Sequence, residues 1–139
     1  MRLDYFQKVM ELEKPEMVIF AGDHSTDAID MSLVYREIPF KIVRGNTDYF
    51  DNDTKDSEIF QLGKKKFYLT HGHLFGVKRN LNELEKQAGA EGVNVCIYGH
   101  THVEYMKEKD GVLYLNPGAL QDKKYVIYNG EKIVQKKIK

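Results

Sequence analysis

Ile97-Tyr98-Gly99-His100-Thr101-His102 reads as the end of a buried strand that delivers two histidines just past a glycine. Val93, Val95 and Ile97 supply the apolar lead-in, and the histidines fall at i and i+2. The chain has five histidines, His24, His71, His73, His100 and His102. All of them lie in Ala21-Gly22-Asp23-His24, Thr70-His71-Gly72-His73 and Gly99-His100-Thr101-His102. Each cluster follows an apolar run and contains a glycine. Histidines used only for packing or solubility would scatter. Clustered at strand ends, they point to a metal site assembled on a rigid rim.

Working back from this stretch, Val77 to Ala88 has Leu81, Leu84 and Ala88 at helical spacing and ends at Gly89. Ile59–Leu62 and Lys66–Thr70 flank Gly63-Lys64-Lys65 as a hairpin whose second strand delivers His71. Asp51 to Ser57 is acidic and polar, and reads as an exposed loop. Phe40 to Val43 is a strand ending in Arg44-Gly45-Asn46-Thr47-Asp48. Thr26 to Tyr35 is a short helix with Ile29, Leu33 and Val34 inward. Met17 to Ala21 is an apolar run, as in a strand buried on both faces, and stops at Gly22-Asp23-His24. Met1 to Glu13 is a helix with Tyr5, Phe6, Val9, Met10 and Leu12 on one face, ended by Lys14-Pro15. Downstream, Asp110-Gly111 and Asn129-Gly130 are two-residue hairpin turns, because both central positions favour positive φ. They make the C-terminal third antiparallel.

These elements predict one α/β domain spanning residues 1–139, with two packed mixed β-sheets flanked by helices. Lysine plus arginine and aspartate plus glutamate are 21 each, so no global field draws the chain to nucleic acid or an acidic membrane. The lysine-rich tail from Lys132 reads as a solvated terminus. Cys96 is the only cysteine, which excludes an intramolecular disulfide and leaves a buried, inert thiol. The chain opens without the pattern of a signal peptide. It has no apolar run near the ~20 residues that span a bilayer. The expectation is a cytoplasmic protein with no membrane contact.

The clustered side chains are carboxylate, carboxamide and imidazole. Without thiolates, this mixed N/O set suits a catalytic rather than a structural metal. Each piece has a plainer reading alone. Asp23 would cap the following helix, and Gly45-Asn46-Thr47-Asp48 would make a turn in any protein. Together, Gly22-Asp23, Gly45-Asn46-Thr47-Asp48, Thr70-His71-Gly72-His73, Gly99-His100-Thr101-His102 and Asn116-Pro117-Gly118 resemble the calcineurin-like metallophosphoesterases. The likeness is to the small bacterial and archaeal phosphodiesterases of that superfamily, and runs from about Asp4 to the C-terminus.

The resemblance implies an αββα sandwich that hydrolyses phosphodiesters or activated phosphomonoesters through a metal-bound hydroxide. It implies one or two divalent ions per chain: manganese first, with zinc, iron, nickel or magnesium as alternatives. Asp23 resembles the carboxylate bridging two metals. Asn46, His71 and His100 resemble the rest of the second metal's set, and His102 the histidine of the first. Asp48 and His73 form the implied catalytic set. Asp48 resembles a carboxylate that orients groups around the site. For His73, ligation, a hydrogen bond to phosphate and protonation of the leaving group all remain open. Asn116-Pro117-Gly118 resembles a turn that supports the site. Arg44 is a candidate phosphate contact, beside the plainer reading of an exposed strand-end arginine.

Two features depart from the family pattern. No strand ending in Asp-x-His precedes Met17: either the sequence is truncated before that strand, or the protein works with fewer metals, the first keeping only Asp23 and His102, with His24 as a partial substitute. The lack of that strand implies an unpaired sheet edge, which a homo-oligomer would cover. Thr47 stands where larger members carry a histidine. The partner implied is a small phosphoester rather than nucleic acid, for which the sequence has no basic groove. A scaffold protein on the same fold, like the small subunit of the retromer coat, is the alternative.

Overall fold

The computed structural model describes residues 3–48 and 54–139. Met1 and residues 51–53, parts of the expected first helix and acidic loop, lie outside them. The elements run α1 (Leu3–Glu13), β1 (Val18–Phe20), α2 (Ser25–Val34), β2 (Phe40–Ile42), β3 (Ser57–Leu62), β4 (Lys65–Thr70), α3 (Asn82–Glu91), β5 (Val95–Ile97), β6 (Tyr105–Lys109), β7 (Val112–Asn116), β8 (Lys124–Tyr128) and β9 (Ile133–Lys137). Short 3-10 turns span His73–Phe75 and Leu120–Asp122.

The strands form a five-stranded mixed sheet in the order β3-β4-β5-β7-β6, a parallel pair β1-β2 and an antiparallel pair β8-β9. β4, β5 and β7 are parallel, with antiparallel β3 and β6 on the edges. Period-two alternation then sorts the side chains into two cores. Phe67, Leu69, Val95, Ile97 and Leu115 face one side, against Ile19, Ala21, Val43, Val126 and Tyr128 of the second strand layer. Tyr68, Cys96, Tyr98 and Tyr114 face the other, against Leu84 and Ala88 of α3. A third core sets Phe6 and Met10 of α1 and Ala28 and Met31 of α2 on Val18, Phe20, Phe40 and Ile42. The layers are therefore α3, the five-stranded sheet, the two strand pairs, and α1 with α2. This is the expected sandwich of helix and sheet layers.

Several sequence expectations shift. In α2 the buried residues are Ser25, Ala28 and Met31, while Leu33 and Val34 are 60% and 69% exposed. The small side chains, not the large ones, allow the helix close to the sheet. Leu12 of α1 is likewise exposed. The helix expected from Val77 begins only at Asn82, because Gly76 is left-handed at φ 60° and turns occupy the stretch between. Asp110-Gly111 is the expected two-residue turn, both residues at positive φ, since Lys109 pairs with Val112. Asn129-Gly130 is not. Tyr128 pairs with Ile133, and the four-residue loop is held by the Asn129 carboxamide accepting from the Glu131 and Lys132 amides. The expected strand Met17–Ala21 shortens to Val18–Phe20 and is half-buried, because β1 pairs on one edge only. Cys96 is buried as expected, and burial pushes its thiol up to about 12.

Candidate metal centre

The C-terminal ends of β1, β2, β4 and β5 bring Asp23, Asn46, His71 and His100 together. The backbone does so under constraint: Asp23, His24, His100 and His102 all sit at positive φ. Such conformations cost about 1–3 kcal/mol each for residues with a Cβ and cluster where geometry matters. Gly22, at φ 99°, is required twice over. A Cβ there would lie 2.7–2.8 Å from the His71 imidazole. A Cβ on Gly45 would collide with the Asp23 carboxylate.

His71 is 2% exposed. Its Nδ1 lies 2.7 Å from the Ala21 carbonyl oxygen, which can only accept, so Nδ1 carries the proton. Nε2 is then a bare lone pair. It faces Asn46 Oδ1 at 3.1 Å, His100 Nδ1 at 3.2 Å and Asp23 Oδ2 at 3.3 Å. Four potential ligand atoms thus converge, and the proton of His71 lies on its far side. Ligands ~2.0–2.2 Å from a common ion stand ~3 Å apart at right angles. The donors, their spacing and their lack of thiolate fit a divalent cation. Asp23, His71 and His100 form a group with potential ligand atoms within 4.8 Å of one another.

Electrostatics support the same protonation state. Burial lowers the pKa of His71, against the Ala21 bond and Asp23, which raise it. Burial, with His71 and Lys78 adding repulsion, lowers that of His100. Both imidazoles are neutral near pH 7. Burial works against ionisation of Asp23, but two bonds from Thr47 with His71 and His100 outweigh it and hold its pKa low. Those bonds run from the Thr47 hydroxyl at 2.7 Å and its amide at 3.1 Å to Oδ1, leaving Oδ2 for the cluster.

Asp48 accepts from the Gly45 amide at 2.7 Å and the Ser25 amide at 3.0 Å. It closes the Asn46 loop and caps α2 from a distance, where His24 offers no side-chain cap. Asn116, fully buried, donates to the Gly99 carbonyl and the Thr101 hydroxyl and accepts from the Gly118 amide. It braces the loop carrying His100. The His73 ring stands 5.3 Å from that of His71, and its Nδ1 is buried without a partner. His102 lines the same cleft but is outside the ligand group; its Nδ1 is 3.4 Å from Gln121. His24 is half exposed, 3.9 Å from Asp27. Arg44, a candidate phosphate contact, pairs with Asp56 at 2.7 Å.

The sequence reading missed three supports. In the sequence Thr47 stands out only within the Gly45–Asp48 turn and as the residue where larger members carry a histidine, although its place between Asn46 and Asp48 is a signal. The Ala21 carbonyl and Gln121 have none, since both act through tertiary contact.

The calcineurin-like phosphoesterase superfamily domain matches residues 2–129. A probable metallophosphoesterase of Bacillus subtilis, YsnB, is 32% identical over 106 residues, 76% of this chain and 60% of the relative. The chain thus matches less than two thirds of that relative's length. Among solved structures, a predicted phosphoesterase from Streptococcus pneumoniae superposes with a TM-score of 0.69 at 25% identity, covering 95% of this chain and 90% of that one. Zinc-complexed Vps29 from Entamoeba histolytica shares the fold alone, with a TM-score of 0.72 at 18% identity over 96% of this chain and 87% of that one. With the match spanning nearly its whole length, the chain belongs to the calcineurin-like phosphoesterase superfamily.

Proposed function

We propose that this chain is a metal-dependent hydrolase of small phosphodiesters or activated phosphomonoesters. The observation that carries the reading is the convergence of His71 Nε2, Asn46 Oδ1, His100 Nδ1 and Asp23 Oδ2 within 3.1–3.3 Å of His71 Nε2, with the His71 proton bound elsewhere. These four residues would hold one divalent ion, and manganese suits the mixed imidazole and oxygen set. Such an ion neutralises phosphate charge and lowers the pKa of a coordinated water.

The protein's own groups do the rest. Thr47 fixes which Asp23 oxygen faces the cluster. Asp48 holds the Asn46 loop closed on its backbone amides, which is its contribution to the catalytic set. His73 offers an unpartnered ring nitrogen beside the cluster, suited to bonding a phosphoryl oxygen or protonating a leaving group. His102, on the same cleft, is available to a second, weaker ion.

Manganese-dependent hydrolysis of bis(p-nitrophenyl) phosphate tests the assignment. Asn46→Ala and His71→Gln should lower turnover by more than the roughly 10–100-fold typical of losing a partner that only orients a ligand. Unchanged turnover in either variant would remove the site from the reaction.

One observation favours a second reading, a non-hydrolytic scaffold. Among the described residues, His102 stands outside the group formed by Asp23, His71 and His100. Metal analysis after reconstitution separates the two: a scaffold would retain no stoichiometric manganese and hydrolyse nothing.

A further inference from the structure

The turn that leaves β4 after His71 is folded back onto the strand ends. Gly72, left-handed at φ 102°, sits between His71 and His73. A Cβ there would lie 3.0 Å from Val77 Cγ2, so Val77 packs directly on the bare backbone of Gly72. Val77 is buried in the core that also holds Tyr98, the residue before Gly99-His100. The Phe75 amide donates to the Gly72 carbonyl and the Arg79 amide to the Gly76 carbonyl, both at 3.0 Å. Lys78 therefore projects from a fixed backbone at the rim formed by the ends of β4 and β5.

Two cations stand in this turn, and they differ. The Arg79 guanidinium lies over Gly76, where a Cβ would come within 2.6 Å of its Nη2. Lys78 is exposed, and its charge reaches His100: burial, then His71 and Lys78, hold that imidazole's pKa low. Other cations on this side of the molecule have carboxylate partners. Arg44 is 2.7 Å from Asp56, and Lys124, which lines the cleft with His102, is 3.3 Å from Glu104. Among the described residues, none forms an ion pair with Lys78.

A lysine so placed repels the divalent cation that the neighbouring cluster fits. An anion lying between the two turns that repulsion into attraction on both sides. Lys78 is outside the four convergent ligand atoms and exposed at the rim, so the charge it meets lies further out than the phosphoryl group under attack. Its ammonium is a compact point charge on a flexible stem, which suits an anion of variable pose. Resting on the phosphoester reading, we propose that Lys78 is a specificity residue that binds a second anionic group, phosphate or carboxylate, carried on the alcohol portion of the substrate.

Titration calorimetry on the manganese-loaded whole chain tests this with two ligands that cannot be hydrolysed, carboxyethylphosphonate and propylphosphonate. They differ by a terminal carboxylate in place of a methyl group. The carboxylate should tighten binding by roughly two- to fivefold at low salt, the scale of an exposed ion pair, and the gain should shrink as salt screens it. Lys78→Gln should abolish the gain and Lys78→Arg should keep it. Ethylene diphosphonate, run alongside, shows which anion is preferred; a larger gain with either supports the proposal when Lys78→Gln removes it. No gain in the native protein, or no binding of either phosphonate, would overturn it. So would a gain that survives Lys78→Gln, because the carboxylate would then be meeting another group. Turnover of bis(p-nitrophenyl) phosphate separates the two readings. A Lys78-dependent gain without turnover sinks hydrolysis and leaves the anion site standing, and turnover without the gain does the reverse.

Discussion

At the scale of single residues, the centre depends on where protons are. The Ala21 carbonyl accepts a hydrogen bond from His71 Nδ1, and the Thr47 hydroxyl donates to Oδ1 of Asp23, which leaves His71 Nε2 and Asp23 Oδ2 facing inward. A hydrogen bond to a charged group contributes about 1.5–3 kcal/mol. Thr47→Val removes the 2.7 Å bond with little change of shape. Manganese affinity by titration calorimetry should fall roughly tenfold or more, and Thr47→Ser should restore it. An unaltered affinity in Thr47→Val would show that Asp23 needs no such support. The histidines add a pH dependence. Burial lowers both pKa values in the folded state, whereas in the unfolded chain they sit near ~6.5. Below that value the unfolded state takes up protons that the folded state refuses, so stability is lost as pH falls. Urea midpoints in chelator should drop between roughly pH 7.5 and 5.5, with a smaller drop in His71→Gln. Equal drops would assign the effect to other groups. Most of the residues that converge at the strand ends are legible in the sequence, because histidine, aspartate and asparagine beside glycine are rare enough to be noticed. The supports were not legible: a backbone carbonyl has no letter, and a threonine has many uses.

At the scale of elements, the site is a set of strand ends held in register. The Gly99 amide bonds the His71 carbonyl at 2.9 Å, which ties the β4 and β5 ends together. Asn116, at the end of β7, braces the His100 loop with two bonds and its own turn with a third. Asn116→Leu keeps the volume and strands two acceptors and a donor in a fully buried place. Each unmet group costs about 1–3 kcal/mol, so the urea midpoint should fall far more than for a surface change such as Lys107→Leu. Comparable midpoints would mean that the brace is dispensable. Strand identities were read correctly, because β4, β5 and β7 alternate or run apolar as buried strands do. Helix faces were read less well. α2 packs through Ser25, Ala28 and Met31, and hydrophobicity alone favours Leu33 and Val34. The Asn129-Gly130 turn departs from the expected two-residue form because the Asn129 carboxamide oxygen accepts from the Glu131 and Lys132 amides, which widens the loop.

At the scale of the molecule, four layers form one sandwich, and the second strand layer is split into β1-β2 and β8-β9. The split places an apolar cleft beside Asp23, His71 and His100. No helix among the described residues is long and apolar enough to cross a membrane. The family was legible because five short motifs fall in one order. The split was legible only in part: an unpaired edge was expected, but which strands flank it is a matter of tertiary arrangement. Ligands from four strand ends should hold one manganese ion tightly per chain, and a second, if it binds at His102, far more weakly.

Anomalous X-ray scattering from crystals grown with manganese tests the central claim most directly. The expected result is one strong peak ~2.0–2.2 Å from His71 Nε2 and from His100 Nδ1, with Asp23 and Asn46 completing its coordination. A peak that avoids His71, or no peak at saturating manganese, would contradict it.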